Sequence, residues 1–172
     1  AVTLELGGET WDFYTSADTV AELLIAEGIP LEAEDAVQPP SDTRLEEGMT
    51  VRVDKARTVY LDVDGETQSV RTLATAPDAI LREQGVTLEP YDVVLVDGTA
   101  YSADQLAAAK WDAPPLTLAV QRSAEVVVQD GAEERLIVTT TLTVAQALDA
   151  LGLTLYVGDL ITPPPETPVH DG

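Results

Sequence analysis

The amino-acid sequence predicts an α+β protein: tandem β-grasp modules, each a mixed sheet packed on one helix, in an extended arrangement. The first observation behind this is an internal repeat. The stretches TVAELLIAEGIPLEAEDAV from Thr19, APDAILREQGVTLEPYDVV from Ala76 and TVAQALDALGLTLYVGDLI from Thr143 share one pattern. Gly28, Gly85 and Gly152 are equivalent in it, and Asp35, Asp92 and Asp159 each follow seven residues later. A shift of 57 carries Gly8 onto Gly65 and Gly28 onto Gly85, while the second and third helices are 67 apart because the second copy carries extra residues. Such a period takes priority over chain length in setting the domain count. The second observation is the order inside each copy: strand, Gly turn, strand, short helix, loop, closing strand. The third is apolar–polar alternation along the strands, which gives the sheet one face for the helix and one for water. Modules are expected at 1–55, at 56–122 with a helical insertion at about 97–115, and at 123–172, the last lacking its final strand.

In the first module Val2 to Leu6 alternates as a half-buried strand does, and Gly7-Gly8 supplies the positive φ of a tight hairpin. Thr10 to Thr15 returns as the second strand, with Trp11, Phe13 and Thr15 on one face. Thr19 and Glu22 have the spacing of a capping box. Val20, Leu23 and Leu24 form one apolar stripe, Gly28 ends the helix, and Gly48 to Val53 closes the unit. The second module repeats the plan with Val59–Val63, an Asp64-Gly65 turn, Thr67–Thr72, a helix opened by Pro77, and strands at Val93–Val96 and Leu116–Val120. Between them, Ser102 to Lys110 reads as a short capped helix. The third has Val126–Gln129, a turn at Asp130-Gly131, Glu134–Thr139, and a helix capped by Thr143 and Gln146. Gly172 aligns with Gly48, so the closing strand is expected beyond it, and the tail from about Pro163 is expected to fray. Asp54–Arg57 and Gln121–Ala124 are the only linkers, which predicts a semi-rigid rod.

Composition narrows the function. Nine basic against 31 acidic residues give a net charge of −22. A phosphate-binding surface needs clustered Lys and Arg, so nucleic acid and anionic lipid are excluded as partners. The acidity serves solubility and self-repulsion along the particle. There is no Cys, so neither disulfides nor thiolate metal sites form. No apolar run reaches the roughly 18 residues of a membrane helix, and no signal peptide is visible. The chain reads as an excised piece of a longer protein whose targeting and catalytic parts lie elsewhere.

The strand–DGET–strand–helix pattern (Asp64-Gly65-Glu66-Thr67), the helix exits Gly28-Ile29-Pro30-Leu31, Gly85-Val86-Thr87-Leu88 and Gly152-Leu153-Thr154-Leu155, and the closing Gly48-Met49-Thr50-Val51 together resemble the ubiquitin-like domain of unknown function DUF348. That domain occurs in tandem in resuscitation-promoting factors and related bacterial cell-wall proteins. The resemblance covers nearly the whole chain. It implies an exported, extracellular or cell-wall-associated bacterial protein in which such modules precede a five-glycine adhesive domain and a peptidoglycan-cleaving or similar domain. The family supplies no catalytic residue to carry over. The insertion in the second copy and the missing end of the third depart from its pattern.

The residues themselves point away from catalysis. The acidic clusters Glu32–Glu34–Asp35, Glu46–Glu47 and Glu133–Glu134 show none of the asymmetry that a general acid/base pair requires and are expected as solvated loops. None fits the twelve-residue calcium loop. The repeated Asp35, Asp92 and Asp159 are expected to accept backbone hydrogen bonds in turns. His170, the only His, has no second ligand near it in the sequence. There is no nucleophile elbow and no phosphate-cradling Gly loop. No catalytic residue, cofactor or metal site is assigned. Candidate ligand or partner contacts are the scarce aromatics: Trp11; Tyr91, beside a repeated Asp; and Tyr101 and Trp111, which flank the inserted helix and are expected to pack it onto the sheet. The leading expectation is a non-enzymatic spacer and interaction segment positioning a distant adhesive or peptidoglycan-acting domain, with other domains of the same protein as partners. The alternative is a module that binds peptidoglycan or other cell-wall polysaccharide. No membrane insertion is expected within this fragment.

Overall fold

The computed structural model describes residues 1–140 and 143–169; His170 and Gly172, both singled out by the sequence, lie outside them. Its strands form three separate sheets. The first holds β1 (Val2–Leu6), β2 (Glu9–Phe13), β3 (Ala36–Gln38) and β4 (Thr50–Asp54), with α1 (Val20–Ala26) between β2 and β3. The order is β2-β1-β4-β3. The two central strands run parallel, with Leu4 opposite Val51 and Leu6 opposite Val53. This is the β-grasp arrangement. The alternation of β1 and β4 sends Val2, Leu4, Val51 and Val53 to one face, where the Val20, Leu23 and Leu24 stripe of α1 meets them in a single core. Thr19 caps α1 by accepting from the Glu22 N–H, and the Glu22 carboxylate reaches back to the Asp18 N–H at 2.7 Å. The loop past Pro40 closes on the same helix end: Val20 and Ala21 donate to the Thr43 and Ser41 carbonyls.

The second unit contains β5 (Arg57–Val63), β6 (Glu66–Thr72), α2 (Pro77–Glu83), β7 (Val93–Val96), β8 (Thr99–Ser102), α3 (Ala103–Ala108) and β9 (Thr117–Gln121). Its sheet order is β6-β5-β9-β7-β8, again with a parallel central pair, Leu61 opposite Leu118. Val59, Leu61, Ile80, Leu81, Val94, Leu106 and Leu118 share its core. The insertion is more than the expected helix. Asp97 and Gly98, both at positive φ, make a two-residue hairpin turn that adds β8 as an edge strand before α3 begins. The Asp97 carboxylate also accepts from the Leu116 and Thr117 N–H groups, which fixes the start of β9.

The third unit has β10 (Ala124–Asp130), β11 (Glu133–Thr139) and α4 (Val144–Ala150). Its described sheet is the two-stranded hairpin alone. The tail does not fray at Pro163. Val144 and Ala145 donate to the Thr167 and Pro165 carbonyls at 3.0 and 2.8 Å, and Thr143 bridges Pro168. The same unsatisfied N–H groups of a helix start that bind the Ser41–Thr43 loop in the first unit bind the tail here.

Leu61 is fully buried at the centre of the second core. Leu61→Ala is expected to destabilise that unit by about 2–5 kcal/mol, measured by urea unfolding.

Candidate functional site at the module junctions

The repeated aspartates meet the expectation of turn acceptors. One carboxylate oxygen of Asp35, Asp92 and Asp159 accepts from the N–H three residues earlier, on Glu32, Glu89 and Tyr156, at 3.0, 2.9 and 2.8 Å. The structure gives two of them a second task. The other oxygen of Asp35 accepts the Ala56 N–H at 2.8 Å, and that of Asp92 accepts the Ser123 N–H at 2.8 Å. The residue just before each of these is basic. The Lys55 ammonium bonds Asp35 at 2.7 Å and also the Pro30 carbonyl; the Arg122 guanidinium bonds Asp92 at 2.9 Å and the Thr87 carbonyl at 2.6 Å. The closing strand of one unit therefore leads into the next through a base-plus-small dipeptide whose cation and N–H converge on one carboxylate.

Both carboxylates are out of water, with side chains 0 % and 1 % exposed for Asp35 and Asp92. Burial by itself raises an aspartate's pKa. At Asp35 the Lys55 ammonium and the Glu32 and Ala56 N–H groups outweigh it and hold the carboxyl well below its usual value. At Asp92 the Ser123 and Glu89 N–H groups and Arg122 do the same. Arg122 is itself pushed up, first by its hydrogen bond to Asp64 and then by Asp92, against the opposing pull of burial.

The two junctions differ in their further contacts: at the second, Arg122 also bonds Asp64 at 2.9 Å and the Ser123 hydroxyl donates to Asp92 at 3.1 Å. Arg71, on β6 of the second unit, reaches back to the first: its guanidinium lies 3.0 Å from Glu32, 3.6 Å from Glu34 and 3.3 Å from Asp35, and it bonds the Ala56 carbonyl. The Glu32–Glu34–Asp35 cluster, expected as a solvated loop, is thus the acidic half of an inter-module clamp. Val138 stands at the equivalent position of the third unit, so the Arg71 contact has no counterpart there. Sequence reasoning missed these links because the partners lie 20 to 36 residues away. The repeat did hold a signal: Lys55-Ala56 and Arg122-Ser123 both follow the closing strand of their unit, 67 residues apart where the helices are 57 apart because the insertion lies between helix and closing strand.

The aromatic candidates fall in different places. Tyr101 and Trp111 meet edge to face at 5.4 Å and pack against the second core, where the Trp111 indole donates to the Leu106 carbonyl. Trp11 pairs across the hairpin with Leu4 and is 38 % exposed, and Tyr91 is 66 % exposed. They form no common site. Among the described residues no group of three or more His, Cys, Asp or Glu is placed to hold a metal. Among the described residues no helix is long and apolar enough to cross a membrane.

Comparison with known proteins agrees with this architecture. The sequence profile of the G5-linked ubiquitin-like domain, DUF348, matches residues 2–42, 59–98 and 126–166. The chain belongs to this family. Each DUF348 match takes in most of one opening hairpin and one helix. Among similar proteins is YabE of Bacillus subtilis strain 168, named provisionally as a cell wall shaping protein; it is 27 % identical over 165 residues, covering 95 % of this chain and 38 % of YabE. Another is the resuscitation-promoting factor Rpf2 of Corynebacterium glutamicum, 32 % identical over 84 residues, covering 49 % of this chain and 22 % of Rpf2. The DUF348 chain described here thus spans well under half the length of either relative.

The junction carboxylates have a pH signature. A group whose folded pKa is depressed adds stability above its unfolded value, and that stability is lost as pH falls through the folded one. The contribution of Asp35 and Asp92 is therefore complete at neutral pH, starts to fall below about 3.8, the ordinary aspartate value, and is lost as pH drops through their depressed folded values. Protonating the other acidic residues relieves self-repulsion and acts in the opposite direction. Comparison with a D35N/D92N variant isolates the junction term. The variant is expected to be less stable at pH 7, by about 3 kcal/mol for each buried pair broken, with the difference shrinking below pH 4 when melting is followed by circular dichroism.

Proposed function

We propose that this chain is a non-enzymatic run of spacer and interaction modules in an exported, cell-wall-associated bacterial protein, positioning an attached adhesive or peptidoglycan-acting domain. The observation that carries this is the buried carboxylate at each junction. A tether whose only task is connection needs no such anchoring, whereas one that sets distance and direction gains from linkers without slack. Each junction here has its linker bonded at both backbone and side chain to the module before it. The names of YabE and Rpf2 support the cell-wall setting. The net charge of −22 keeps such an array extended and soluble.

A second reading, binding of peptidoglycan or other polysaccharide, draws on the exposed rings of Trp11 and Tyr91. Saturable pull-down by purified peptidoglycan that is lost on Trp11→Ala would favour it over the spacer.

The spacer reading makes a mechanical prediction. The chain contains no Cys, so spin-label pairs go in cleanly at Glu9 with Thr67 and at Thr67 with Glu134. Electron–electron distance measurements are expected to give a narrow distribution across the first junction and a broader one across the second, where Val138 replaces the clamp. Arg71→Ala is expected to broaden the first to match. A first distribution that is already broad in the unmodified chain would overturn the proposal.

A further inference from the structure

Tension on a row of linked units follows the backbone. The strands by which the chain enters and leaves each unit therefore decide how load is borne. In the first unit these are β1 and β4; in the second they are β5 and β9. Each pair is bonded in parallel inside its sheet, Thr3–Leu6 against Thr50–Val53 and Tyr60–Val63 against Thr117–Val120. The contact starts before these registers close: Thr3 and Tyr60 donate to the Met49 and Leu116 carbonyls at 2.9 Å, and Gly48 donates to the Ala1 carbonyl at 2.9 Å. In a parallel pair the entry point of one strand and the exit point of the other lie at opposite ends. Pulling on them slides the strands along each other and loads the evenly spaced bonds together. Pulling both strands from the same end breaks the bonds singly. Leu4, Val51 and Val53 in one pair, and Leu61 and Leu118 in the other, are buried on one face, which keeps competing water from that side of the strained bonds.

The other elements of these two units lie beside this path. The addition to the second unit, β8 and α3, comes between β7 and β9, so it enlarges the unit without interrupting the entry or exit strand. The junction bonds, by contrast, are on the path. Ala56 and Ser123, tied to Asp35 and Asp92, are the residues through which tension leaves each unit. The second unit has one further tie. Arg122, just past β9, bonds Asp64, just past β5, at 2.9 Å, and so fastens the two loaded strands to each other at their C-terminal ends. Gly7 stands at the Asp64 position in the first unit, which has no such tie.

We infer that this chain is a load-bearing tether. The first two units resist tension along the chain by shear of their entry and exit strands, and the Arg122–Asp64 tie makes the second unit the stronger. This goes beyond spacing, which asks only for a fixed distance. It rests on the spacer reading for two attached ends that can be pulled, while the resistance itself belongs to the strand order.

The chain contains no Cys, so handles for single-molecule pulling attach only where a Cys is introduced. Thr58→Cys with Gln121→Cys loads β5 and β9 from opposite ends; Thr58→Cys with Thr117→Cys loads them from the same end. All three sites alternate with the buried residues of their strands. At one loading rate the first pair is expected to rupture at a force at least about twofold higher, because its bonds are loaded together. Asp64→Gly is expected to lower the opposite-end force while leaving the melting temperature nearly unchanged, since Asp64 sits at φ 55°, a conformation that Gly adopts freely. Handles at Ala1→Cys and Gln129→Cys are expected to show the first unit yielding before the second. The two steps are told apart by length, because the longer loop between the paired strands of the second unit adds about 35 Å of extended chain. Equal forces in the two geometries would overturn the inference, as would an Asp64→Gly chain as strong as its parent, or a second unit that yields first. Each of these failures leaves the distance measurements across the junctions untouched, and with them a spacer that carries no load.

Discussion

Each described junction depends on one buried carboxylate. Asp35 and Asp92 sit at the point where a helix-exit loop turns back toward its sheet, and each accepts from its own loop and from the chain leaving the closing strand. Placing a charge out of water is unfavourable unless every lone pair is met. The fold meets them with two N–H groups and a cation, so the aspartate adopts its position only when the loop, the closing strand and the linker are all in place. Loss of any one leaves a buried charge short of partners. That requirement makes the end of one module and the start of the next a single structural event.

The same logic explains the difference among the three units. A β-grasp sheet is built around a parallel central pair, and the closing strand is the member that the rest must wait for. It covers the helix-facing side of the opening hairpin, it gives β3 or β7 a partner, and its exit supplies the cation and N–H to the aspartate. In the third unit α4 is capped and its loop is tied down, because those bonds are local. The half-buried Val126 and Val128 and the exposed Leu160 and Asp159 are what remains when the long-range element is not among the described residues. Small units bury little apolar area, so a single strand has a large share in each core.

Charge acts at two scales. The net charge is −22, while three of the nine basic residues, Lys55, Arg71 and Arg122, lie at junctions. In a chain so acidic, a basic side chain beside a loop carboxylate is a specific mark, and the Arg71 clamp shows that its placement distinguishes one junction from the next.

The sequence by itself determined the parts whose causes are local. Hairpins at Gly7-Gly8 and Asp64-Gly65, the capped helices at Thr19 and Thr143, the core stripes such as Val20, Leu23 and Leu24, and the turn role of the repeated aspartates all follow from short-range rules of spacing, capping and backbone conformation. The internal period then carried the β-grasp plan from one copy to the next. Tertiary structure alone decided the rest. The strand Thr99–Ser102 exists because β7 offers it an edge, an addition to the helix that the sequence places from Ser102 onward. Asp35 and Asp92 become junction anchors because their partners arrive from residues 20 to 31 positions away, beyond the reach of local rules. Local rules specify what each segment can form; only the assembled sheet specifies which carboxylate is left without water and must be answered by a cation.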